Sequence, residues 1–220
     1  MIHPDTELRF INDKIGYGVV ATKFISKGTI TWVLDKLDRT FTPQEIKNMD
    51  KTYQEVMDKY TYRNPEGNYV FCWDNARFIN HSANANCITT AYEFEIAIRD
   101  IQPGEELTDD YGYLNLDEPF EVLPEPGTSR NVVYPDDLLR YYPIWDEKLL
   151  SAFPKLLEVD QPLLHLLDKG IQKKAKDIAR GETKMDSILN CYYRNGNMNG
   201  KNGKEHPQVS VRSPKVVYPY

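Results

Sequence analysis

Closely spaced turn signals divide the first 118 residues into short segments and leave room for few helices. Clusters of Asn, Asp, Gly and Pro lie at 12–14, 25–28, 64–68 and 101–104. Between them lie segments rich in β-branched and aromatic residues, at 7–11, 29–34, 69–73, 86–90, 94–98 and 106–111. Short segments of this composition, bounded by turn residues, are typical of strands. The pattern therefore predicts a mainly β region built from many short strands.

One helix is predicted to interrupt this β region. Thr42 is a suitable N-cap, Pro43 occupies the first helical position, and Glu45 completes a capping box. The helix is expected to run to about Tyr60, where the next strand-like segment approaches.

The character of the chain changes after Pro119, from short strands to leucine-rich segments. Residues 124–129 are typical of a linker, and helices are predicted at 136–142, 144–153, 163–169 and 171–189. Their expected breaks are at Pro143, Pro154, Pro162 and Gly170. An apolar stripe is predicted to cover the β region as ordinary core: Leu149, Leu150, Phe153, Leu156 and Leu157.

Three regions follow from this division. Residues 1–118 are predicted to form the β-rich domain, and residues 119–194 a helical extension that closes its site. Residues 195–220 begin with a run rich in Gly and Asn, which predicts a flexible tail. Its end, from 209 onward, is a candidate edge strand.

The chain is acidic, and its charge is uneven. Residues 1–120 hold 12 Lys and Arg against 20 Asp and Glu, a net charge of −8, whereas residues 121–220 hold 15 against 13. An acidic surface repels nucleic acid and attracts basic partners, although most charged surfaces are only solvated faces. The basic residues of 180–220 leave a nucleic-acid-binding protein as a weak third hypothesis.

The sequence offers no sign of secretion, membrane insertion or metal binding. Five charged residues occupy the first twenty positions, and no apolar run approaches the ~18 residues of a membrane span. Cys72, Cys87 and Cys191 are too few and too widely spaced for a disulfide framework or a zinc site. We expect an intracellular protein, cytoplasmic if bacterial and possibly nuclear if eukaryotic, with no metal.

Two polar stretches are the candidates for chemistry. Residues 77–82 place Asn80 and His81 on a short aromatic and aliphatic run, and residues 105–112 end in Asp-Asp-Tyr-Gly. His81 and Ser82 are neighbours on an extended segment and point to opposite faces, so they do not form a nucleophile and base. The stretches predict a site that orients reactants and has no obvious nucleophile, general base or metal cage.

Two glycines near the start add a third element. Gly16 and Gly18 alone indicate no more than a tight turn or a β-bulge. A dinucleotide fingerprint is excluded because no third glycine and no helix follow.

Four stretches in this order resemble a known family. They are Ile15–Gly18 with Ile25–Gly28, Asp74–Ser82, Ala85–Cys87, and Pro103–Thr108 with Asp110–Gly112. Together they resemble the SET domain of S-adenosylmethionine-dependent protein-lysine methyltransferases, over about residues 6–118. The resemblance implies an α+β fold, mainly β: a β-clip of several small sheets with a pseudoknot, here followed by the helical extension. In that pseudoknot the segment ending at Tyr111 passes beneath the Asn80-His81 strand, an exception to unthreaded connections.

The resemblance also implies roles for individual residues. Tyr111 matches the catalytic tyrosine of the family. Seven residues match its binding site for S-adenosyl-L-methionine: Gly16, Tyr17, Gly18, Arg77, Phe78, Asn80 and His81. Four are candidates for the substrate channel: Tyr62, Thr89, Asp109 and Tyr113. Phe120 or Trp145 is expected to stack on the adenine.

The chain departs from the family pattern at two positions. Asp109 and Thr89 stand where the family often carries aromatic residues that limit how many methyl groups fit. No cysteine-rich segment follows Tyr111, so the zinc-binding cap of many members is missing. These departures leave the methylation state open and keep a second hypothesis alive, a catalytically inactive SET-fold module that binds basic protein tails.

The expected reaction is transfer of a methyl group to a lysine side chain of a basic protein, histone-like or otherwise rich in lysine. The attacking amine must be neutral, yet a lysine of pKa ~10.4 is protonated at pH 7, a handicap of roughly 4–5 kcal/mol. A narrow, dry channel lowers that pKa by desolvation, and alignment supplies much of the remaining rate. The sequence names neither the substrate protein nor the oligomeric state.

Overall fold

The structure, a computed structural model, describes residues 1–194; the predicted tail and the edge strand from 209 lie outside the described residues. Twelve short strands occur in this part of the chain: β1 Thr6–Asn12, β2 Gly16–Ala21, β3 Ile30–Val33, β4 Arg39–Phe41, β5 Thr61–Arg63, β6 Tyr69–Phe71, β7 Asn80–His81, β8 Cys87–Thr89, β9 Phe94–Ala97, β10 Thr108–Asp109, β11 Phe120–Glu121 and β12 Val132–Val133. Four α-helices accompany them: α1 Pro43–Lys47, α2 Lys51–Tyr60, α3 Asp137–Ala152 and α4 Lys169–Ala179.

The strands form several small sheets, as predicted, and none of those described closes into a barrel. β1 and β2 make an antiparallel hairpin, and two three-stranded antiparallel sheets have the orders β3-β9-β8 and β4-β6-β5. β11 pairs with β12, and β7 pairs in parallel with β10. The fold is therefore α+β, with the parallel pair joining two segments that are ~30 residues apart in sequence.

The central sheet β3-β9-β8 has two different faces. Phe94 and Ile96 of β9 belong to the larger apolar cluster, which also contains the helical residues Leu149 and Phe153. Ala97 belongs to the second cluster, and Glu95 shares its face because alternate residues of a strand point the same way. One face therefore packs against the helices, and the other faces the β7–β10 pair.

The longest helix contradicts the predicted break at Pro143. α3 runs from Asp137 to Ala152 with Pro143 inside it. A proline removes one intrahelical hydrogen bond and strains the preceding turn, but Leu138 and Trp145 on either side are buried in the larger cluster. Tertiary packing thus outweighs the local cost.

The apolar stripe was only partly predicted correctly. Leu149, Phe153 and Leu156 are buried, whereas Leu150 and Leu157 are 56% and 44% exposed. The two exposed leucines each follow a buried residue directly, so the turn of the helical backbone carries them to the solvent side.

The other helix boundaries were also predicted imperfectly. The helix at 42–60 is two helices, because Asp50 accepts a hydrogen bond from the Thr52 amide at 2.9 Å and caps a new start. The capping box of Thr42 and Glu45 is confirmed. Gly170 does not break the chain but lies in the first turn of α4, and the helix predicted at 171–189 ends at Ala179. The helix predicted at 163–169 is a 3-10 turn, Leu164–Leu166, followed by the start of α4 at Lys169.

Within residues 1–194, every helix is too short or too polar to span a lipid bilayer.

Candidate functional site

The parallel pair β7–β10 forms the centre of the candidate site. Thr108 lies opposite Asn80, and Asp109 lies opposite His81. The buried side chain of Asn86 holds β10 in place: its Oδ1 accepts a hydrogen bond from the Thr108 amide at 2.9 Å, and its Nδ2 donates to the Glu106 carbonyl at 2.8 Å. The two sequence stretches singled out above therefore meet in one place.

Tyr111 follows β10 and is fixed at both ends. Its hydroxyl donates a 2.5 Å hydrogen bond to the Ile79 carbonyl, directly before Asn80. Its amide donates to Nδ1 of His81 at 3.1 Å, and its ring lies 5.5 Å from the imidazole. Burial, with the nearby acidic side chains, raises the pKa of Tyr111, so the phenol stays protonated at neutral pH.

His81 is a buried, neutral imidazole. Burial lowers its pKa, and the Asp110 carboxylate opposes that effect without reversing it. Because Nδ1 accepts the Tyr111 amide, the ring proton belongs on Nε2. That Nε2 is buried and has no hydrogen-bond partner among residues 1–194. His81 therefore presents an unused donor inside the site.

The β1–β2 hairpin reaches the site at Tyr17 and Gly18, and no contact of Gly16 with the site is seen within residues 1–194. Asn80 Nδ2 donates to the Tyr17 carbonyl at 3.0 Å and to Glu106 Oε1 at 2.6 Å. A Cβ on Gly18 would overlap the Glu106 carboxylate and lie 2.9 Å from Asn80 Nδ2. Glycine at this position is what lets the Tyr17 backbone and the Asn80 amide approach each other.

Arg77 and Phe78 lie on a 3-10 turn, Asn75–Phe78, that leads into β7. The Arg77 guanidinium donates to the carbonyls of Trp73 and Asp74 at 2.8 and 2.7 Å. The Phe78 ring packs against Tyr60 at 5.3 Å. Both side chains hold the turn together, so the contact to a cofactor through their backbone stays a prediction.

Three of the predicted channel residues surround the central sheet and β10. Tyr62 packs edge-to-face on Trp32 at 6.1 Å. Thr89 is half-buried on β8, opposite Glu95. Tyr113 is fully buried behind Asp109, to whose Oδ1 its hydroxyl donates at 3.0 Å. Tyr113 thus supports Asp109 directly, and the assignment of these residues to a substrate channel stays a prediction.

Asp109 has a partner that the sequence analysis missed. Its carboxyl group lies close to that of Glu95 on β9, so that each acts on the pKa of the other, and the two residues are only 4% and 7% exposed. Burial raises the pKa of Asp109 to about 6 and that of Glu95 well above its usual value. The available signal was a glutamate inside the otherwise apolar strand Phe94–Ala97.

The structure separates the two candidates for an adenine-stacking aromatic. Trp145 is 3% exposed and packs in the core against Tyr113 and Tyr141, so it is excluded. Phe120 is half-buried and lies 5.7 Å from His81 and 5.9 Å from Tyr111. Only Phe120 belongs to the site.

Arg130, also missed from sequence, ties the helical extension to the site. Its guanidinium bonds to Asp110 at 2.5 Å and to Asp137 at 2.6 Å, and both carboxylates are buried. Asp110 in turn accepts the Gly112 amide at 3.0 Å. An isolated arginine directly after the predicted linker gave no sequence signal for this role.

These residues fit a cofactor with polar and aromatic groups. The glycine-lined approach at Gly18, the buried unpaired Nε2 of His81 and the half-buried ring of Phe120 offer a backbone surface, a donor and an aromatic face. Such a combination suits an amino-acid end and a base better than it suits a metal ion.

Comparison with protein-family models matches residues 16–112 to the SET domain. The match begins at Gly16 and ends at Gly112, so it contains every predicted site residue from the hairpin to Tyr111. Tyr113, Phe120 and Arg130 lie beyond it.

Proposed function

Residues 16–112 are a SET domain, and on that premise we propose that the protein transfers a methyl group from S-adenosyl-L-methionine to the side-chain amine of lysine in a basic protein. The observation that carries the proposal is the placement of Tyr111. Its protonated hydroxyl is anchored on the Ile79 carbonyl beside Asn80 and His81, where two distant segments of the chain meet.

The hairpin, β7 and Phe120 would hold the cofactor, which supplies an electrophilic methyl group on a sulfonium. The backbone of Tyr17 and Gly18 and the Asn80 amide are suited to its amino-acid end. His81 offers Nε2–H as a donor, and Phe120 offers an aromatic face for the base. Arg77 and Phe78 would contribute only through their backbone.

Tyr111 would orient the reactants without reacting itself. A phenol with a raised pKa is a poor nucleophile and does not compete with the amine for the methyl group. Its oxygen, fixed by the bond to Ile79, is a rigid acceptor and dipole in a buried place. Such preorganised groups lower a barrier because they need no rearrangement during the reaction.

The proposed partner is a basic protein, and nucleic acid is not expected to bind. Its support is electrostatic, since residues 1–120 carry a net charge of −8. An acidic surface around the site would raise the local concentration of lysine-rich segments and repel phosphates. With this cofactor and substrates of this kind, we propose that the reaction takes place inside the cell.

Two measurements on one sample test the proposal. Calorimetry with S-adenosyl-L-methionine is expected to show one binding site, and an assay with labelled methyl groups on a cell lysate, read by mass spectrometry, is expected to find methyllysine. The Asn80→Ala variant should bind the cofactor more weakly by ~10-fold or more, because it removes the side-chain amide that holds the Tyr17 backbone against β7 at the proposed binding site.

Each failure has its own meaning. No binding at millimolar cofactor would contradict the proposal as a whole. Binding without methyl transfer to any protein would favour the inactive binding module, a reading that the replacement of aromatic residues by Thr89 and Asp109 keeps open.

A further inference from the structure

We infer that the buried carboxyl pair Glu95–Asp109 binds the ammonium group of the incoming lysine and accepts its proton before methyl transfer. The inference rests on the proposed function and deepens it, because it names the group that makes the amine neutral. Its basis is a set of contacts on the inner face of the central sheet.

The two carboxyl groups share a proton. No donor reaches Glu95 Oε2 within residues 1–194, and Tyr113 donates to Asp109 Oδ1. Because both groups are buried side by side, ionising both is costly, and one of them keeps its proton. The pair carries a single negative charge near neutral pH, as two carboxyls in contact generally do.

A second unsatisfied polar group lies beside the pair. Trp32 is opposite Glu95 in the neighbouring strand, so their side chains share a face. Its indole Nε1 is buried and finds no acceptor within residues 1–194. Trp32 thus has a buried donor without an acceptor, and the neighbouring Glu95 has a buried acceptor without a donor. A small polar group bound at this place would satisfy both atoms.

The pair is also close to the residue proposed to orient the reactants. Asp109 is two residues before Tyr111, and the charges of Asp109 and Glu95 both contribute to the Tyr111 environment. Other titratable groups that act on the pair or its neighbours are Asp38, Asp74, Glu106, Asp110, Tyr62, Cys72, Cys87, Cys191, Tyr113, Arg99 and the Met1 ammonium. Of these, Arg99 and the Met1 ammonium are cationic. Within residues 1–194 neither forms an ion pair with Glu95 or Asp109, because Arg99 pairs with Glu105 and the ammonium with Asp35 and Asp38.

The proposed step balances in protons and electrons. The lysine ammonium gives one proton to the singly charged pair, which becomes neutral. The amine lone pair then forms the N–C bond, and the C–S bond breaks with its electrons going to sulfur. The methylated nitrogen now carries the positive charge, and the pair returns its extra proton to solvent.

The first test uses the pH dependence of turnover in isosteric variants. Glu95→Gln and Asp109→Asn should each lower kcat/KM at pH 7 by about 100-fold. The deficit should shrink toward pH 10, where lysine loses its proton to solvent without help. Glu93→Gln, an exposed carboxylate two residues before Glu95, is the matched control and should follow the wild-type profile.

The second test measures binding and does not need turnover. Calorimetry would compare a library of seven-residue peptides with a fixed central lysine against the same library with norleucine, with S-adenosylhomocysteine present. The wild type should prefer the lysine library by about 10-fold or more, as expected for a buried ion pair. Each pair variant should lose that preference while its urea unfolding curve remains cooperative.

The outcomes separate this inference from the proposed function. Equal binding of the two libraries by the wild type overturns the inference. Methyl transfer whose pH profile is the same in wild type and pair variants also overturns it and leaves the proposed function intact. A lysine preference that depends on the pair, without methyl transfer, supports the ammonium site and contradicts the methyltransferase.

Discussion

Tyr111 differs from a phenylalanine by one hydroxyl group, and that hydroxyl donates a hydrogen bond to the Ile79 carbonyl. Tyr111→Phe should lower kcat by about 100-fold or more, because a preorganised polar group is lost from the site. Cofactor affinity should change by less than about threefold, since the ring and the Tyr111 amide bond to His81 remain. Labelled-methyl kinetics and calorimetry measure the two effects.

Tyr92→Phe provides the comparison for that variant. Tyr92 is also buried, and its hydroxyl donates to Asp186 at 2.9 Å on the far side of the central sheet. Its loss should lower stability and leave kcat unchanged. Equal losses of turnover and cofactor affinity in Tyr111→Phe would identify that tyrosine as structural only.

His81 and Asp109 should make stability depend on pH in opposite directions. The pKa of His81 is lowered by burial, so its contribution to stability is present above the unfolded value of ~6.5 and is lost as pH falls through the lowered folded value. The pKa of Asp109 is raised to about 6, so its contribution is present below ~4 and is lost as pH rises through about 6.

Single variants should reveal these two opposed effects. Between pH 7 and pH 5, His81→Gln should gain stability relative to wild type, and Asp109→Asn should lose it, the latter by on the order of 1–2 kcal/mol. Urea unfolding at intervals of half a pH unit measures this. Parallel curves for the three proteins would show that neither group titrates in that window.

At the residue scale, site residues that belong to sequence motifs could be predicted. Site residues that matter only through contacts made in the folded protein were missed. Asn80 and Tyr111 stand at fixed places in short, ordered stretches, so their meeting could be predicted. Glu95 acquires its importance only because β9 pairs with β3 and β8 and turns it toward Asp109. Strand pairing between distant segments is not encoded in local composition.

At the scale of elements, the approach of β2 to β7 depends on Gly18. Gly18→Ala would place a methyl group against the Glu106 carboxylate and the Asn80 amide, both ends of movable side chains. We expect cofactor affinity to fall by about 10-fold or more, with stability changed by less than about 1 kcal/mol. Calorimetry and thermal unfolding separate the two; unchanged affinity would show that the cofactor does not use this approach.

The linker before α3 acts through Arg130. Replacing Arg130 by Ala leaves Asp110 and Asp137 buried without their counter-ion and should cost about 3–5 kcal/mol of stability. Turnover should also fall, because Asp110 holds the Gly112 amide next to Tyr111. Lys173→Ala removes an exposed ion pair to Asp177 and should leave the unfolding curve unchanged. A similar result for the two variants would contradict this role of Arg130.

Helix boundaries depended on packing more than on local sequence. The capping box at Thr42 is a local hydrogen-bond pattern and was predicted correctly. The continuity of α3 through Pro143 depends on Leu138 and Trp145 being held in the same core, which no local pattern shows. The match to the SET domain likewise stops at Gly112, before Arg130, whose ion pairs join Asp110 to the start of α3.

At the scale of the whole molecule, the larger core joins both parts of the chain. Phe153 lies 6.0 Å from Phe94 and 6.2 Å from Tyr92 between ring centroids, and Leu149 and Leu156 share their cluster. The helix-facing side of the central sheet is thus covered by residues that follow position 118. Whether 1–118 is a domain in its own right stays a prediction, and the shared core argues that it depends on the extension.

A fragment of residues 1–118 should therefore fail to fold alone. It would expose Ile30, Val33, Phe94 and Ile96 together, an apolar surface that water disfavours and that promotes association. We expect aggregation in size-exclusion chromatography and no cooperative urea transition by circular dichroism. Phe153→Ala in the full chain is a milder test of the same contact, and it should lower the free energy of unfolding by about 3–5 kcal/mol. A monomeric fragment with a cooperative transition and cofactor binding would instead make residues 119–194 an independent addition to a self-sufficient SET domain.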